Sequence, residues 1–343
     1  MPKKIINVGI IGLNFAVNVH LPAFKLNNNC VIYGITSKNL NNAKLIAKQH
    51  NIPKVYNSWQ EMILDPQIDA VSIAVPPILQ PKIILAAIKQ KKAIFAEKPL
   101  ASKLSDTIQI NNFVRKNNIA NIIDFSYIGC PAFIAAKELI QNKFINNIKT
   151  ININWHLETR ASLEKNPKSW KITPKLGGGA ALNFASHILF YLEWLIGKIT
   201  KISFNKYNLL GKNFGDTLVQ ISVELKNHII ANVLVNTAAF MGKEQIHKIE
   251  IYGDNESIIL ENTSIFKPIS GFTLKTTNRK TNNWNNIKLK TPIKIKPNQD
   301  DRIIAVANLV NKFVNWIITN NPEHPNFIDG IRIQKLLEYT YYT

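Results

Sequence analysis

The chain is 343 residues long and 46% hydrophobic, and its formal net charge is +20, from 42 Lys and Arg against 22 Asp and Glu. That length and hydrophobicity exclude a disordered chain and favour two packed domains over one. Two distant cysteines, Cys30 and Cys130, give neither a disulfide framework nor a zinc-ligand spacing, so a reducing, cytoplasmic setting and no metal are expected.

No membrane span is expected. The most apolar helical stretch, 187–197, is too short and contains Glu193, and the opening MPKKIINVGIIG is broken by Asn7 and lacks a small-residue cleavage site. The positive balance would suit phosphates or nucleic acid. Lys, Asn and Ile rise together along much of the chain, however, the bias of an AT-rich coding sequence. The excess is densest over 262–299, a stretch without acidic residues. Phe272 and Trp284 could serve there as stacking platforms, but the spacing matches no nucleic-acid module, and a solvated strand pair with its loops accounts for the charge. Nucleic acid is therefore not the expected partner.

From the start to residue 127, short apolar runs alternate with helical patterns. IINVGII, VIYGIT, AVSIAV, KAIFAE and ANIIDF read as strands, with helices near 15–27, 40–50, 80–90 and 103–117, the last with Ser102 as N-cap. Such alternation builds a parallel, doubly wound, Rossmann-type sheet. After Pro131 the texture changes: AFIAAKELI reads as a helix, and IKTININWHL alternates with period two. ITKISFNKY, TLVQISVEL, HIIANVLVN, IHKIEIYG and SIIL follow as further strands, separated by Gly, Asn and Asp. They predict a mostly antiparallel open sheet with helices on one face, an α+β unit beside the α/β one. Helices over 301–319 and 327–341 close the chain.

GIIGLNFAV at 9–17 lies where a strand turns into a helix, the context in which a glycine motif cradles a pyrophosphate. Gly12 keeps the tight turn, whereas the second and third glycine positions are Asn14 and Val17, with Phe15 and small Ala16 between them. Asn tolerates positive φ better than most residues. The stretch therefore reads either as a worn cofactor turn, with Gly12, Asn14, Phe15 and Ala16 as contacts, or as an ordinary βα corner. The next strand ends without the carboxylate that would grip a ribose 2′-hydroxyl; Ser37 and Lys38 stand there instead. A hydroxyl and a cation suit a 2′-phosphate, so NADP is favoured over NAD if a dinucleotide binds.

AVSIAVPP at 70–77 and AIFAEKPLA at 93–101 both end strands, where open α/β sheets place ligands. With Glu97, Lys98 and Pro99 in that second stretch, the chain resembles the Gfo/Idh/MocA oxidoreductases. The resemblance extends through VHLPAF at 19–24, SWK at 169–171, GGGAALNFASH at 177–187 and FIDGIRIQ at 327–334. It implies that Lys98 reaches the substrate hydroxyl, that Glu97 lies near the nicotinamide ribose, and that the Lys98–Pro99 peptide is cis. Val75, Pro76, Pro77 and Gln80 replace the family's usual Thr-Pro-Asn turn and nearby His and are expected to line the cofactor. Asn183 replaces the usual Asp four residues before His187, on one helical face with it. Asn cannot ionise, so it can orient a hydroxyl or the imidazole but not stabilise an imidazolium by charge.

The resemblance implies a dinucleotide-binding domain over 1–127 and a substrate-binding and oligomerisation domain over 128–343. The reaction expected is hydride transfer between NADP or NAD and a secondary carbinol or ketone of a sugar, cyclitol or related small polyol. Lys98, His187 and Asn183 are the expected catalytic residues, and a homo-oligomer the expected assembly. A second reading, motivated by the lost glycines and by Asn183, is a ligand-sensing regulator of the same family that binds dinucleotide without turnover.

Overall fold

The computed structural model describes residues 5–166 and 168–338. These divide into two compact units: 5–126 with 295–334, and 127–294 with 335–338.

The first unit contains a six-stranded sheet of β1 (Ile6–Ile11), β2 (Cys30–Thr36), β3 (Lys54–Val55), β4 (Ala70–Ile73), β5 (Ala93–Ala96) and β6 (Asn121–Ile123), in the order β3-β2-β1-β4-β5-β6. Every pairing in it is parallel, which gives the doubly wound topology the alternation predicts. Strands buried on both faces explain why these runs are continuously apolar rather than alternating. The connecting helices are α1 (Leu21–Lys25), α2 (Leu40–His50), α3 (Trp59–Leu64), α4 (Gln80–Lys89) and α5 (Leu104–Asn117). Asn39 caps α2 by accepting from Asn42 N–H, and Ser58 caps α3 by accepting from Glu61 N–H. Ser102 does not cap α5: Lys103 stands at that position, without a side-chain cap, and Asp106 in the first turn supplies the charge that favours the helix N-terminus. β3 and α3 escape the sequence pattern because two and six residues are too few to show a period.

The closing helices belong elsewhere than expected. Residues 295–334 pack with the first unit, not with the second. The cause is the apolar stripe of α9 (Arg302–Thr319), where Phe313 meets Phe24 of α1 edge-on at 6.2 Å and Phe95 of β5 at 5.8 Å. α10 (Phe327–Glu338) begins against the same sheet, with Phe327 N–H donating to Asn121 Oδ1. Residues 339–341 of the expected closing helix lie outside the described residues.

The second unit carries an eight-stranded sheet of β7 (Thr150–His156), β8 (Ile199–Tyr207), β9 (Leu218–Leu225), β10 (Ile229–Asn236), β11 (Glu244–Tyr252), β12 (Glu256–Ser264), β13 (Thr273–Asn278) and β14 (Asn285–Asn286). Its order is β14-β13-β12-β11-β7-β10-β9-β8. All neighbours are antiparallel except β7 and β10. Ile151, Ile153, Trp155, Ala231, Val233 and Val235 point inward. α6 (Pro131–Gln141) and α8 (Ser186–Leu195) cover that face, Phe133 meeting Tyr191 at 4.9 Å and Phe272 at 5.2 Å, while short α7 (Arg160–Glu164) lies in the connection after β7. Phe272 is thus core rather than a stacking platform, and most residues from 280 to 299 are exposed, as a solvated strand pair and its loops require. No helix among the described residues is long and apolar enough to cross a membrane.

Candidate functional site

In the first unit the candidate residues gather at the C-terminal ends of β1, β2, β4 and β5, on either side of the point where the strand order reverses between β1 and β4. Gly12 leaves β1 at φ +110°, and a Cβ there would run into the carbonyl oxygen of Ala74. Asn14 follows in the left-handed region at φ +48°, so an exposed asparagine does here what a second glycine would. The chain then enters a wide π-type turn, Ala16–His20, before α1. This cradle fits a dinucleotide: the tight turn and the following helical amides survive the loss of two glycines. Phe15 lies beneath the guanidinium of Arg302 at 4.8 Å, which brings a cation from the start of α9 to the turn. Ala16, Pro77 and Gln80, expected as cofactor contacts, are buried, whereas Val75 and Pro76 are half-buried. After β2, Ser37 Oγ accepts from Asn39 N–H at 3.0 Å, and Lys38 is exposed.

The turn after β5 is fixed from two sides. Gln80 Nε2 donates to Glu97 O at 2.9 Å and to Pro99 O at 2.7 Å, spanning the cis Lys98–Pro99 peptide. Behind it lies a group that sequence reasoning passed over. His20 is fully buried; its Nδ1 lies 2.8 Å from Ser72 Oγ and its Nε2 lies 3.0 Å from Glu97 Oε1 and 3.3 Å from Asp124 Oδ2. Burial opposes the imidazolium, but hydrogen bonds to Asp124 and Glu97 and their charges raise its pKa to about 9. Burial likewise works against the Glu97 anion, yet His20 and Lys98 hold its carboxyl below the usual range. Burial, and then the Glu97 charge, push Asp124 up to about 7. His20 stands within VHLPAF and Asp124 at the end of ANIIDF, so both were visible as letters; only their side chains' convergence from 104 positions apart reveals a cluster.

In the second unit, Ala181–Ala185 forms another π-type turn that leads into α8 and carries Asn183, with His187 in the first turn of α8. Asn183 Nδ2 donates to Gly179 O at 3.0 Å and to Lys171 O at 3.2 Å, so its amide braces the glycine loop in a way a carboxylate could not. Asp216, another residue the sequence did not single out, accepts from Ala181 N–H at 2.7 Å and occupies the space where a Cβ on Gly179 (φ +129°) would fall. Its carboxyl is raised by burial. His187 is almost buried, edge-on to Tyr127 at 5.2 Å. Deeper in this unit, His247 stacks on Trp155 at 4.0 Å and receives or gives a hydrogen bond at Tyr191 Oη, and burial lowers its pKa to about 3.

Comparison with known proteins bears on the family and the fold. Residues 6–125 match the model of the oxidoreductase family with the NAD-binding Rossmann fold, and residues 133–259 match that of the GFO/IDH/MocA C-terminal domain. An uncharacterised oxidoreductase of Synechocystis is 26% identical over 350 residues, covering 98% of this chain and 93% of its own. Levoglucosan dehydrogenase of Pseudarthrobacter phenanthrenivorans is 28% identical over 215 residues, 58% of this chain and 53% of that protein. A levoglucosan dehydrogenase structure in complex with NADH and levoglucosan has the same fold, with a TM-score of 0.88 at 21% identity over 98% of this chain and 96% of that one. With both domain models matched and both sheets in place, the chain belongs to the Gfo/Idh/MocA family of NAD-binding oxidoreductases.

Proposed function

We propose that the protein is an NADP-preferring oxidoreductase that moves hydride between nicotinamide and a secondary carbinol, or its ketone, on a sugar, cyclitol or related small polyol. The observation that carries this reading is the Glu97–Lys98–Pro99 turn, pinned by Gln80 and His20 at the strand ends where open α/β sheets take ligands. Levoglucosan and inositol, named for two relatives, are both polyols with secondary carbinols. The cofactor supplies the hydride chemistry; the chain supplies orientation and charge. In this reading Lys98 holds the substrate oxygen, His187 exchanges its proton, and Asn183 keeps the loop before α8 in shape. Gly12, Asn14, Phe15, Val75, Pro76 and Glu97 border the dinucleotide, and Ser37 and Lys38 meet its 2′ end. A cytoplasmic homo-oligomer remains the assembly expected.

NADP preference follows from the charge after β2. An ammonium opposite a phosphate at an exposed site contributes about 1 kcal/mol or less, roughly a fivefold difference in Kd. Fluorescence titration should therefore show tighter binding of NADPH than of NADH, and Lys38→Asp should reverse the order. Unchanged relative affinities would remove Ser37 and Lys38 from the 2′ site, and no binding of either nucleotide at millimolar concentration would remove the enzyme reading. The regulator reading draws on Asn14 and on the structural commitment of the Asn183 amide. Tight nucleotide binding without turnover across a screen of polyols and ketoses would favour it.

A further inference from the structure

We propose that His20, Glu97 and Asp124 act as one proton-sharing triad that sets the charge facing a nucleotide at the strand ends, with Glu97 at the opening and His20 and Asp124 as positioning residues behind it. This rests on the dinucleotide reading above. The geometry assigns the roles. The side chains of His20 and Asp124 are 0% and 1% exposed, whereas that of Glu97 is 19% exposed, so Glu97 is the member through which the others are felt. The triad adjoins the cofactor turn, because the Phe15 ring meets the His20 ring edge-on at 5.3 Å.

The groups facing the triad can be named. His20 projects from the π-type turn, Glu97 and Lys98 follow β5, Asp124 follows β6, and Ser72 Oγ on β4 takes His20 Nδ1. Phe15 and Phe95 wall the imidazole on two sides, Phe95 at 5.1 Å. No water-filled path is needed for the charges to balance. An imidazolium between one carboxylate and one neutral carboxyl sums to zero, and the second carboxyl Oδ1 of Asp124, which meets no donor among the described residues, suits a protonated group. Loss of that one proton leaves a net charge of about −1 in a site of low dielectric. Asp124, raised to about 7 by burial and by Glu97, is the member that titrates near neutrality, while His20, raised to about 9, stays charged.

The consequence is directional. The oxidised nicotinamide ring is a cation and the reduced ring is neutral, so deprotonation of Asp124 favours the oxidised form. As pH rises from 6 to 8.5, the ratio of Kd for NADPH to Kd for NADP+ should increase by about three- to tenfold, the scale of one partly screened charge at close range.

The intact protein with NADPH and NADP+ as probes supplies the test, by fluorescence titration and calorimetry across that pH range. Asp124→Asn keeps the side chain's shape and removes its charge, and should make the ratio flat. Glu97→Gln removes the anion that raises Asp124 and should flatten it too, which covers the case in which Asp124→Asn fails to fold. A flat wild-type ratio with tight binding overturns this proposal alone, as does a rise that survives in either variant. Absence of nucleotide binding removes the functional reading and this proposal together. A final arm needs no nucleotide: 15N-labelled imidazole spectra should show His20 protonated on both nitrogens at pH 8, and a neutral ring there overturns the triad.

Discussion

At the scale of single residues, the two candidate reacting groups make separable expectations. If Lys98 acts at the substrate oxygen, Lys98→Ala should abolish turnover with the polyol found in the screen while NADPH affinity stays within severalfold. His187→Ala should lower kcat by roughly 10²- to 10⁴-fold, the usual size of a positioned acid–base contribution. A fully active His187→Ala enzyme would move proton transfer to another group. The family resemblance could nominate both residues because the Glu-Lys-Pro and glycine-rich motifs that carry it are compact in the chain. It could not nominate His20, Asp124 or Asp216, whose partners are brought by folding: His20 and Asp124 are 104 residues apart and Asp216 lies 35 from Ala181.

At the scale of elements, the corner of β2, β3 and α3 shows how a short strand survives without a pattern of its own. Asp65, at the end of α3, accepts from Lys54 Nζ at 2.6 Å and Tyr56 Oη at 2.7 Å, and Tyr56 packs where Gly34 has no Cβ. The Lys54 hydrogen bond, with those of Gln67 N–H and Tyr56, lowers the Asp65 pKa from 3.8 to about 2. A depressed carboxyl stabilises the fold above its unfolded pKa and loses that contribution as pH falls through the folded value. Because Lys54 is 43% exposed, solvent screening reduces the gain to about 1 kcal/mol or less. Asp65→Asn should therefore lower stability by about that amount at pH 7, and the gap to wild type should shrink steadily from pH 4 toward pH 2. Denaturant melts at pH 7, 4 and 3 check it; a gap independent of pH would mean that Asp65 acts through its hydrogen bonds and not its charge.

At the scale of the whole molecule, the first unit is completed by chain from the far end. Leu309, Val310 and Phe313 of α9 are wholly buried. Each such side chain contributes about 1.5–3 kcal/mol on burial, so removing the segment costs as much as a domain's whole margin of about 5–15 kcal/mol. A fragment of residues 1–126 should melt without cooperativity, whereas the same fragment joined through a flexible linker to 295–334 should give a cooperative far-UV transition. Equal melts for the two would show that α9 is dispensable to this unit.

The amino-acid sequence by itself determined what is local or periodic. The alternation of apolar runs and helical patterns fixed the parallel sheet, period-two alternation fixed the antiparallel one, and the Gly12 turn and the motifs that carry the family resemblance were legible as short stretches. Burial of both faces or of one writes itself directly into the residue pattern. Tertiary structure alone decided which sheet took α9, what the Asn183 amide holds, and that the His20 imidazole meets the carboxyl groups of Glu97 and Asp124 in one cluster. An amphipathic helix specifies that one face must be covered, not by which sheet; a buried ionisable side chain acquires its charge from neighbours that only folding brings within hydrogen-bond distance.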